Sequence, residues 1–488
     1  MNIIPITQAN GKDAISTLNF TNDQRKAYDK LIDFINTEYN PNDYKRALVG
    51  PAGTGKTYLV KALIKNCNLS YSVIGLAAPT HKACRVLGES INLSNIKINT
   101  LQSDLGFRLN FDIDKFDIQN PPFDPKGRIK IGDYKIYIID EASMINRGLV
   151  TFLEKTCKTN KCKIIYIGDQ YQLAPVGEKY SAALKGIETY QLTQIVRQDE
   201  DNPVKHLLSL LRYDVSHKTF TFLEYIYKNR EQFDDSYTKG YCVCSPNQFN
   251  NIVYNNFNDE ALTRNVDFAK VISYTNMAVS GWNKFIRNSI IFDAEKSVIT
   301  KNDLIISYVT IVNEFNEAII KNSEEYIIKD IVNYVDPKYE LKGFLIKFQA
   351  IHGGHITTPL FVLDYKDLFS IQKYVNISNT MIESAKTSST KLRAQRWKEY
   401  YSFKERCLLL TNIVNRNGKT LFYRDLDYGF SLTAHKSQGS TFDTALVDVN
   451  DIVYDKFGRP YTDAEEINRR LYVACSRCKN KLYLKYGR

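Results

Sequence analysis

Residues 50–57, Gly-Pro-Ala-Gly-Thr-Gly-Lys-Thr, fit G-x-x-x-x-G-K-[ST], a loop whose backbone N–H groups cradle the phosphates of a nucleotide. Every residue of the loop, Gly50, Pro51, Ala52, Gly53, Thr54, Gly55, Lys56 and Thr57, is a candidate contact to ATP or GTP. Lys56 is placed to reach the β- and γ-phosphates, and the Thr57 hydroxyl to hold Mg²⁺. Farther along, a fully apolar run ends in Asp140-Glu141. Asp140 would hold Mg²⁺, and Glu141 would orient and deprotonate an attacking water. Gly168-Asp169-Gln170 closes another apolar run, where the Gln170 amide could touch both the γ-phosphate and that water. Arg197 and Arg477 are candidates for neutralising the charge that spreads over the γ-oxygens during transfer, a role worth roughly 10³–10⁵ in rate.

These groups need elements to hold them. Apolar runs at 47–49, 73–77, 136–139 and 164–167 alternate with helical patterns, the signature of a parallel sheet covered by helices. Leu59, Val60, Leu63 and Ile64 lie at helical spacing just after the loop, so a helix N-terminus points its partial positive charge at the anion. The stretch 95–133 interrupts the rhythm with Pro121-Pro122 and Pro125-Lys126-Gly127 and reads as a small inserted element. Strand–helix order resumes at 241–245 and 270–274 and again over 431–488. Between 302 and 423 the chain turns β-rich, with segments at 326–335 and 341–350, then a basic helical stretch over 386–406.

The chain's 488 residues, 43% hydrophobic, suffice for about three domains of roughly 150 residues. Its formal charge of +11 attracts a polyanion such as nucleic acid, or reflects a generally basic surface. No run of eighteen apolar residues occurs, and the N-terminus lacks the pattern of a signal peptide, so a cytoplasmic location without membrane is expected. The nine cysteines read as free thiols, and Cys475 and Cys478 lack the partners of a zinc site. His352 and His355 flank a Gly-Gly turn and read as solvent-facing imidazoles of a hairpin.

In order, the chain shows FTNDQRKAY (20–28), GPAGTGKT, APTHKA, NTLQ, IIDEAS, GDQYQLAPVG, LTQIVRQ, SYTN, SLTAHKSQGSTFD (431–443) and LYVACSR. This ordered set resembles that of the superfamily 1 DNA helicases, and is most similar to the Dda- and RecD-like branch that moves 5′ to 3′ on single-stranded DNA. The resemblance implies two RecA-like α/β domains, with a β-hairpin pin inserted in the first and an SH3-like β-barrel in the second. The first domain would span 1–185 with the pin at 95–133. The second would span 186–301 and 424–488 with the β-rich insertion at 302–423. It further implies that Gln24 reads adenine and that Gly439 lets backbone approach the nucleotide or DNA. Thr80, His81, Thr100, Asn276, Thr433 and His435 would touch the DNA strand, and Arg197 and Arg477 would be the two arginine fingers. Phe107 and Phe123 are candidates for the wedge that splits the duplex.

The expected activity is ATP-dependent, Mg²⁺-requiring unwinding by a monomer at single-strand/duplex junctions, in phage DNA replication, recombination or repair beside replication or single-strand-binding proteins. Two alternatives stay open at this point. One is a translocase that displaces proteins or remodels junctions with little unwinding; the other is a non-catalytic nucleic-acid-binding module.

Overall fold

The computed structural model describes residues 15–17, 19–107, 128–195, 202–261, 265–292, 294–313 and 317–487. They fall into two compact units: Met1–Asn250 with Ile272–Asn276 and Thr433–Arg488, and Asn251–Val271 with Met277–Leu432.

The first unit contains a six-stranded sheet built from β1 (Lys45–Val49), β2 (Ile74–Ala78), β3 (Ile98–Thr100), β4 (Ile136–Ile139), β5 (Lys163–Gly168) and β6 (Thr189–Gln191). Their order is β3-β2-β4-β5-β1-β6, and every pairing is parallel. β2, β4 and β5 are buried along their whole length, as strands covered on both faces must be. Alternation decides which cover each residue meets. Leu48, Ile138 and Ile165 face helices Asn22–Asn36 and Lys56–Asn66 through Leu31, Leu59 and Leu63. Ala47, Tyr137, Ile139 and Tyr166 face the helix Arg147–Thr159 through Leu149 and Leu153. All six carboxyl ends therefore lie on one edge of the sheet, the edge where ligands of open α/β sheets bind.

β3 belongs to this sheet, so the parallel rhythm runs past residue 95, where the sequence suggested an insertion. At three residues the strand is too short to show a period. The prolines of that stretch and Phe123 lie outside the described residues. Phe107 is no wedge: it is 8% exposed and packs at 5.4 Å against the Phe152 ring.

A second six-stranded sheet holds β7 (Glu231–Phe233), β8 (Gly240–Cys244) and β9 (Ala269–Ser273), together with three strands from the end of the chain. Before those come the strands of the second unit. β10 (Leu304–Ser307), β13 (Glu325–Val335), β14 (Lys342–Ala350), β15 (Leu360–Leu363) and β18 (Leu426–Tyr428) form an antiparallel sheet ordered β15-β14-β13-β10-β18. Two ribbons, β11 (Ile311–Val312) with β12 (Ala318–Ile320) and β16 (Ile413–Val414) with β17 (Thr420–Phe422), accompany it. A hairpin of helices Leu368–Thr387 and Thr390–Arg406 packs Tyr374 and Phe403 against Phe361, Leu363 and Phe422. His352 and His355 are exposed at the turn that follows β14, as expected.

β19 (Ser431–Thr433), β20 (Phe442–Asp448) and β21 (Cys478–Lys485) complete the second sheet of the first unit, ordered β19-β9-β20-β21-β8-β7. The chain passes between the units within β9 and β19.

The second unit takes in residues 251–271 and 277–301, and two buried ion pairs lie within it. Lys270, fully buried, donates to Glu325 Oε1 at 2.5 Å and to the Gly429 carbonyl at 2.7 Å. Arg287, in the helix Asn276–Ile290, grips Asp303 through Nε at 2.8 Å and Nη2 at 2.9 Å. Among the described residues no helix is long and apolar enough to cross a membrane, and all nine cysteines are free.

Candidate functional site

The phosphate loop follows β1 and leads directly into the helix Lys56–Asn66. Gly53 and Gly55 sit at φ of 85° and 79°, left-handed values that glycine adopts without strain. A Cβ on Gly55 would also lie 2.6 Å from Gln24 Nε2, and one on Gly50 the same distance from the Leu192 carbonyl. The helix begins at Gly55 with no side-chain cap, so its first N–H groups remain available to an anion. Lys56 Nζ lies back over the loop, donating to the carbonyls of Gly50 at 2.5 Å and Pro51 at 3.0 Å. Thr54 is fully buried and ties its hydroxyl to Pro51 at 2.9 Å.

Gln24, which the resemblance assigns to the adenine, lies beside the phosphate loop. It is buried as the third residue of a capping box on the helix Asn22–Asn36, its Oε1 accepting from Thr21 N–H at 3.1 Å. Its Nε2 donates to the Thr54 carbonyl at 2.9 Å. The amide thus braces the phosphate loop.

Asp140 and Glu141 stand at the carboxyl end of β4. The Glu141 N–H donates to Asp140 Oδ1 at 2.9 Å, and Glu141 itself takes φ of 50°, turning the chain so that the two acids need not face opposite ways. Burial raises the Asp140 carboxyl, with the Glu141 N–H and Lys56 opposing. Burial and the adjacent Asp140 push Glu141 up to about 7, against the pull of Arg477 and Lys56. Arg477 is 5% exposed and follows the helix Ala464–Cys475. Burial drives its guanidinium downward, and Glu141, Tyr472 and Asp169 hold it charged. Its Nη1 donates to the Ser440 carbonyl at 3.2 Å and its Nη2 to Ser476 Oγ at 2.7 Å. Two carboxylates, a lysine and an arginine, drawn from three segments far apart in sequence, therefore share one desolvated site.

Three side chains from residues 438–472 reach residues 169–173, just after β5. Tyr472 OH donates to Asp169 Oδ2 at 2.8 Å across 303 residues of sequence. Arg469 Nη1 donates to the carbonyls of Gln170 and, at 2.9 Å, Gln172. Gln438 Nε2 reaches Gln172 Oε1 at 3.3 Å and the Leu173 carbonyl at 3.4 Å. The sequence reading missed Arg469, Tyr472 and Gln438. Tyr472 and Gln438 lie inside quoted motifs, but nothing local marks a side chain whose partner is so distant.

Thr80, Thr100 and Thr433 share one geometry. Each ends a strand-to-helix turn and caps the helix, its Oγ1 accepting from Ala83, Ser103 and Lys436 N–H at 3.2, 3.3 and 3.2 Å. His81 opens the first of these helices. His435 lies in the third, where burial and the nearby Arg470 lower its imidazole to about 4, leaving it neutral at physiological pH. Gly439, at φ of 72°, directs the next turn, and a Cβ there would lie 3.7 Å from Ala83. Asn276 is exposed at the start of its helix. The preceding turn is held by Asp451, which accepts from the N–H groups of Tyr274 at 2.7 Å and Thr275 at 2.8 Å. Arg197 lies outside the described residues.

Residues 22–225 match the family model described as an AAA domain. The chain is 30% identical to the ATP-dependent RecD2 DNA helicase of Deinococcus radiodurans over 32% of its own length and 20% of that protein's. It is 36% identical to the ATP-dependent DNA helicase dda of Enterobacteria phage T4 over 26% of its length and 27% of that protein's. Within the matched segments the chain is thus similar to superfamily 1 helicases of the Dda and RecD branch. An uncharacterised protein of Acanthamoeba polyphaga mimivirus is 25% identical along 95% of the chain and 99% of its own length. Among solved structures, Pif1 helicase from Candida albicans aligns with a TM-score of 0.49 and 17% identity, covering 96% of this chain and 95% of that one.

The residues present fit Mg²⁺. Magnesium keeps water and substrate phosphate oxygens among its ligands and needs only one or two protein carboxylates. Asp140 offers one carboxylate and Thr57 a hydroxyl, and the elevated Asp140 marks a desolvated carboxylate that a cation would relieve. Among the described residues no cluster of three His, Cys, Asp or Glu suggests any other metal.

Proposed function

We propose that this chain is an ATP-dependent DNA helicase that moves 5′ to 3′ along single-stranded DNA and opens duplex ahead of it. The observation that carries the reading is the convergence of Arg477 on Glu141 and Asp169 beside Lys56. In this reading the loop 50–57 binds the triphosphate through its N–H groups, and Lys56 exchanges the Gly50 and Pro51 carbonyls for phosphate oxygens. Bound Mg²⁺, held by Thr57 and Asp140, would neutralise phosphate charge. Glu141, once ionised, accepts the proton of the attacking water, and Gln170 orients that water. Arg477 balances the charge on the γ-oxygens, as does Arg197.

Coupling follows from the same contacts. Tyr472, Arg469 and Gln438 grip the segment 169–173, so a change at the γ-phosphate reaches both sheets. In this reading Thr80, Thr100 and Thr433, each at a strand-to-helix turn, would touch the phosphates of the DNA strand, contacts that ignore base sequence. Opening a base step costs about 1.4 kcal/mol, within reach of one ATP.

The test uses matched duplexes with a 5′ or a 3′ single-stranded tail. The wild type is expected to open the 5′-tailed duplex, and Lys56→Ala to lose ATPase and unwinding while retaining most DNA binding. Unwinding that persists in Lys56→Ala would sink the assignment, and a preference for 3′ tails would refute the direction.

A further inference from the structure

We infer that the free end of the helical hairpin in the second unit is a docking surface for the phosphate backbone of duplex DNA, an inference that rests on the helicase reading. Packing reaches outward along the first helix through Met381 and Ile382 to the buried Ala385, and the hairpin is anchored at its base. There Tyr374, Tyr400 and Phe403 are buried, and Phe403 packs its ring 5.1 Å from Tyr374 and 4.7 Å from Tyr339. The start of the second helix has no cover. Residues 390–396, the first two turns of the helix Thr390–Arg406, are all exposed, Leu392 at 50%. At about 1.5 Å per residue this stretch extends about 10 Å.

The sequence changes character along that axis. Phe403 and Tyr400 form the packed stripe, and the same helical stripe, stepped outward by four and three residues, continues as Arg396 and Arg393. The opposite face carries Lys391 and Lys398, with Lys386 just across the turn. Five cations thus crowd the tip against only Glu383 and Glu399. Lys386 pairs with Glu383 at 3.4 Å and Arg396 with Glu399 at 2.9 Å. Lys391, Arg393 and Lys398 form no ion pair with the described residues.

A helix that is polar all round gains nothing from burying its tip against its own protein. Holding like charges together costs free energy unless a polyanion relieves it. The cations face several directions, which suits a ribbon of phosphates better than one small anion. Duplex DNA presents a charge about every 1.7 Å along its axis, and a helicase at a junction always has duplex beside it.

The experiment compares full-length wild type with the quadruple variant Lys391→Gln, Arg393→Gln, Arg396→Gln, Lys398→Gln. Anisotropy follows a blunt fluorescent DNA duplex and a single-stranded oligonucleotide between about 50 and about 200 mM salt. Hydrolysis of ATP stimulated by the single strand is measured alongside. The variant is expected to bind duplex at least about tenfold more weakly, with the slope of log affinity on log salt reduced by about three. Its stimulated ATPase should be unchanged. A companion Lys391→Arg, Lys398→Arg variant should keep duplex binding. Unchanged duplex affinity and slope would overturn the inference, as would an equal loss on the single strand. A wild type with no DNA-stimulated ATPase would instead sink the helicase reading, and the duplex titration would still decide the hairpin.

Discussion

Glu141 should impose a pH limb on ATP hydrolysis that Arg477 controls. Burial and Asp140 push its carboxyl up to about 7, so roughly half of it is ionised at pH 7 and about a tenth at pH 6. If the ionised form takes the proton from the attacking water, kcat/KM for MgATP should rise about tenfold per pH unit below that point and level off above it, since this ratio reports the free enzyme. Arg477→Gln removes a charge that holds Glu141 down, so the limb should move to higher pH. The plateau should also fall by roughly 10³–10⁵ if the guanidinium acts on the γ-phosphate. Glu141→Gln should abolish the limb with the activity. Stability provides an independent sign. Because the folded value lies above that of an unfolded glutamate, Glu141 costs nothing below the unfolded value, and its cost grows as pH rises through about 7. Glu141→Gln should therefore raise the melting temperature at pH 8 and lose that advantage near pH 4. The assay is steady-state hydrolysis with saturating single-stranded DNA from about pH 5.5 to about pH 9. A wild-type profile flat through neutrality, or a Glu141→Gln enzyme keeping more than about a tenth of the rate, would refute the reasoning.

Three further outcomes are expected. Tyr472→Phe removes the buried donor to Asp169 and should cost about 1–3 kcal/mol in denaturant unfolding. It should also lower DNA-stimulated ATPase more than basal ATPase; equal losses would show that the contact does not couple the sheets. Gly55→Ala meets both a left-handed φ of 79° and Gln24 Nε2 at 2.6 Å, so nucleotide affinity measured by calorimetry should collapse, and wild-type affinity would contradict the geometry. Lys270→Ala strands Glu325 in the interior and should destabilise the chain by about 3–5 kcal/mol. The paired change Lys270→Met, Glu325→Leu should recover most of that loss in a thermal melt.

Much of the site was legible as words in the chain. The loop 50–57 needs its glycines and lysine at fixed spacing because phosphate geometry dictates them, and Asp140-Glu141 stands out because two acids rarely end a fully apolar strand. The strands β2, β4 and β5 and the last three residues of β1 were legible too, since burial on both faces leaves them largely apolar. β3 and β6, three residues each, carry too little pattern to be read. Phe107 looked available as a wedge because an aromatic beside an irregular stretch carries no mark of its burial against Phe152.

By itself, then, the sequence determined where the phosphate-loop pattern lies and on what kind of sheet, because that pattern rests on local backbone geometry and short-range spacing. Only the tertiary structure decided that Gln24 braces the loop, that Tyr472 grips Asp169, and that burial lifts Glu141 to where Arg477 can tune it. Those are properties of distance and desolvation between segments hundreds of residues apart, and no local pattern encodes them.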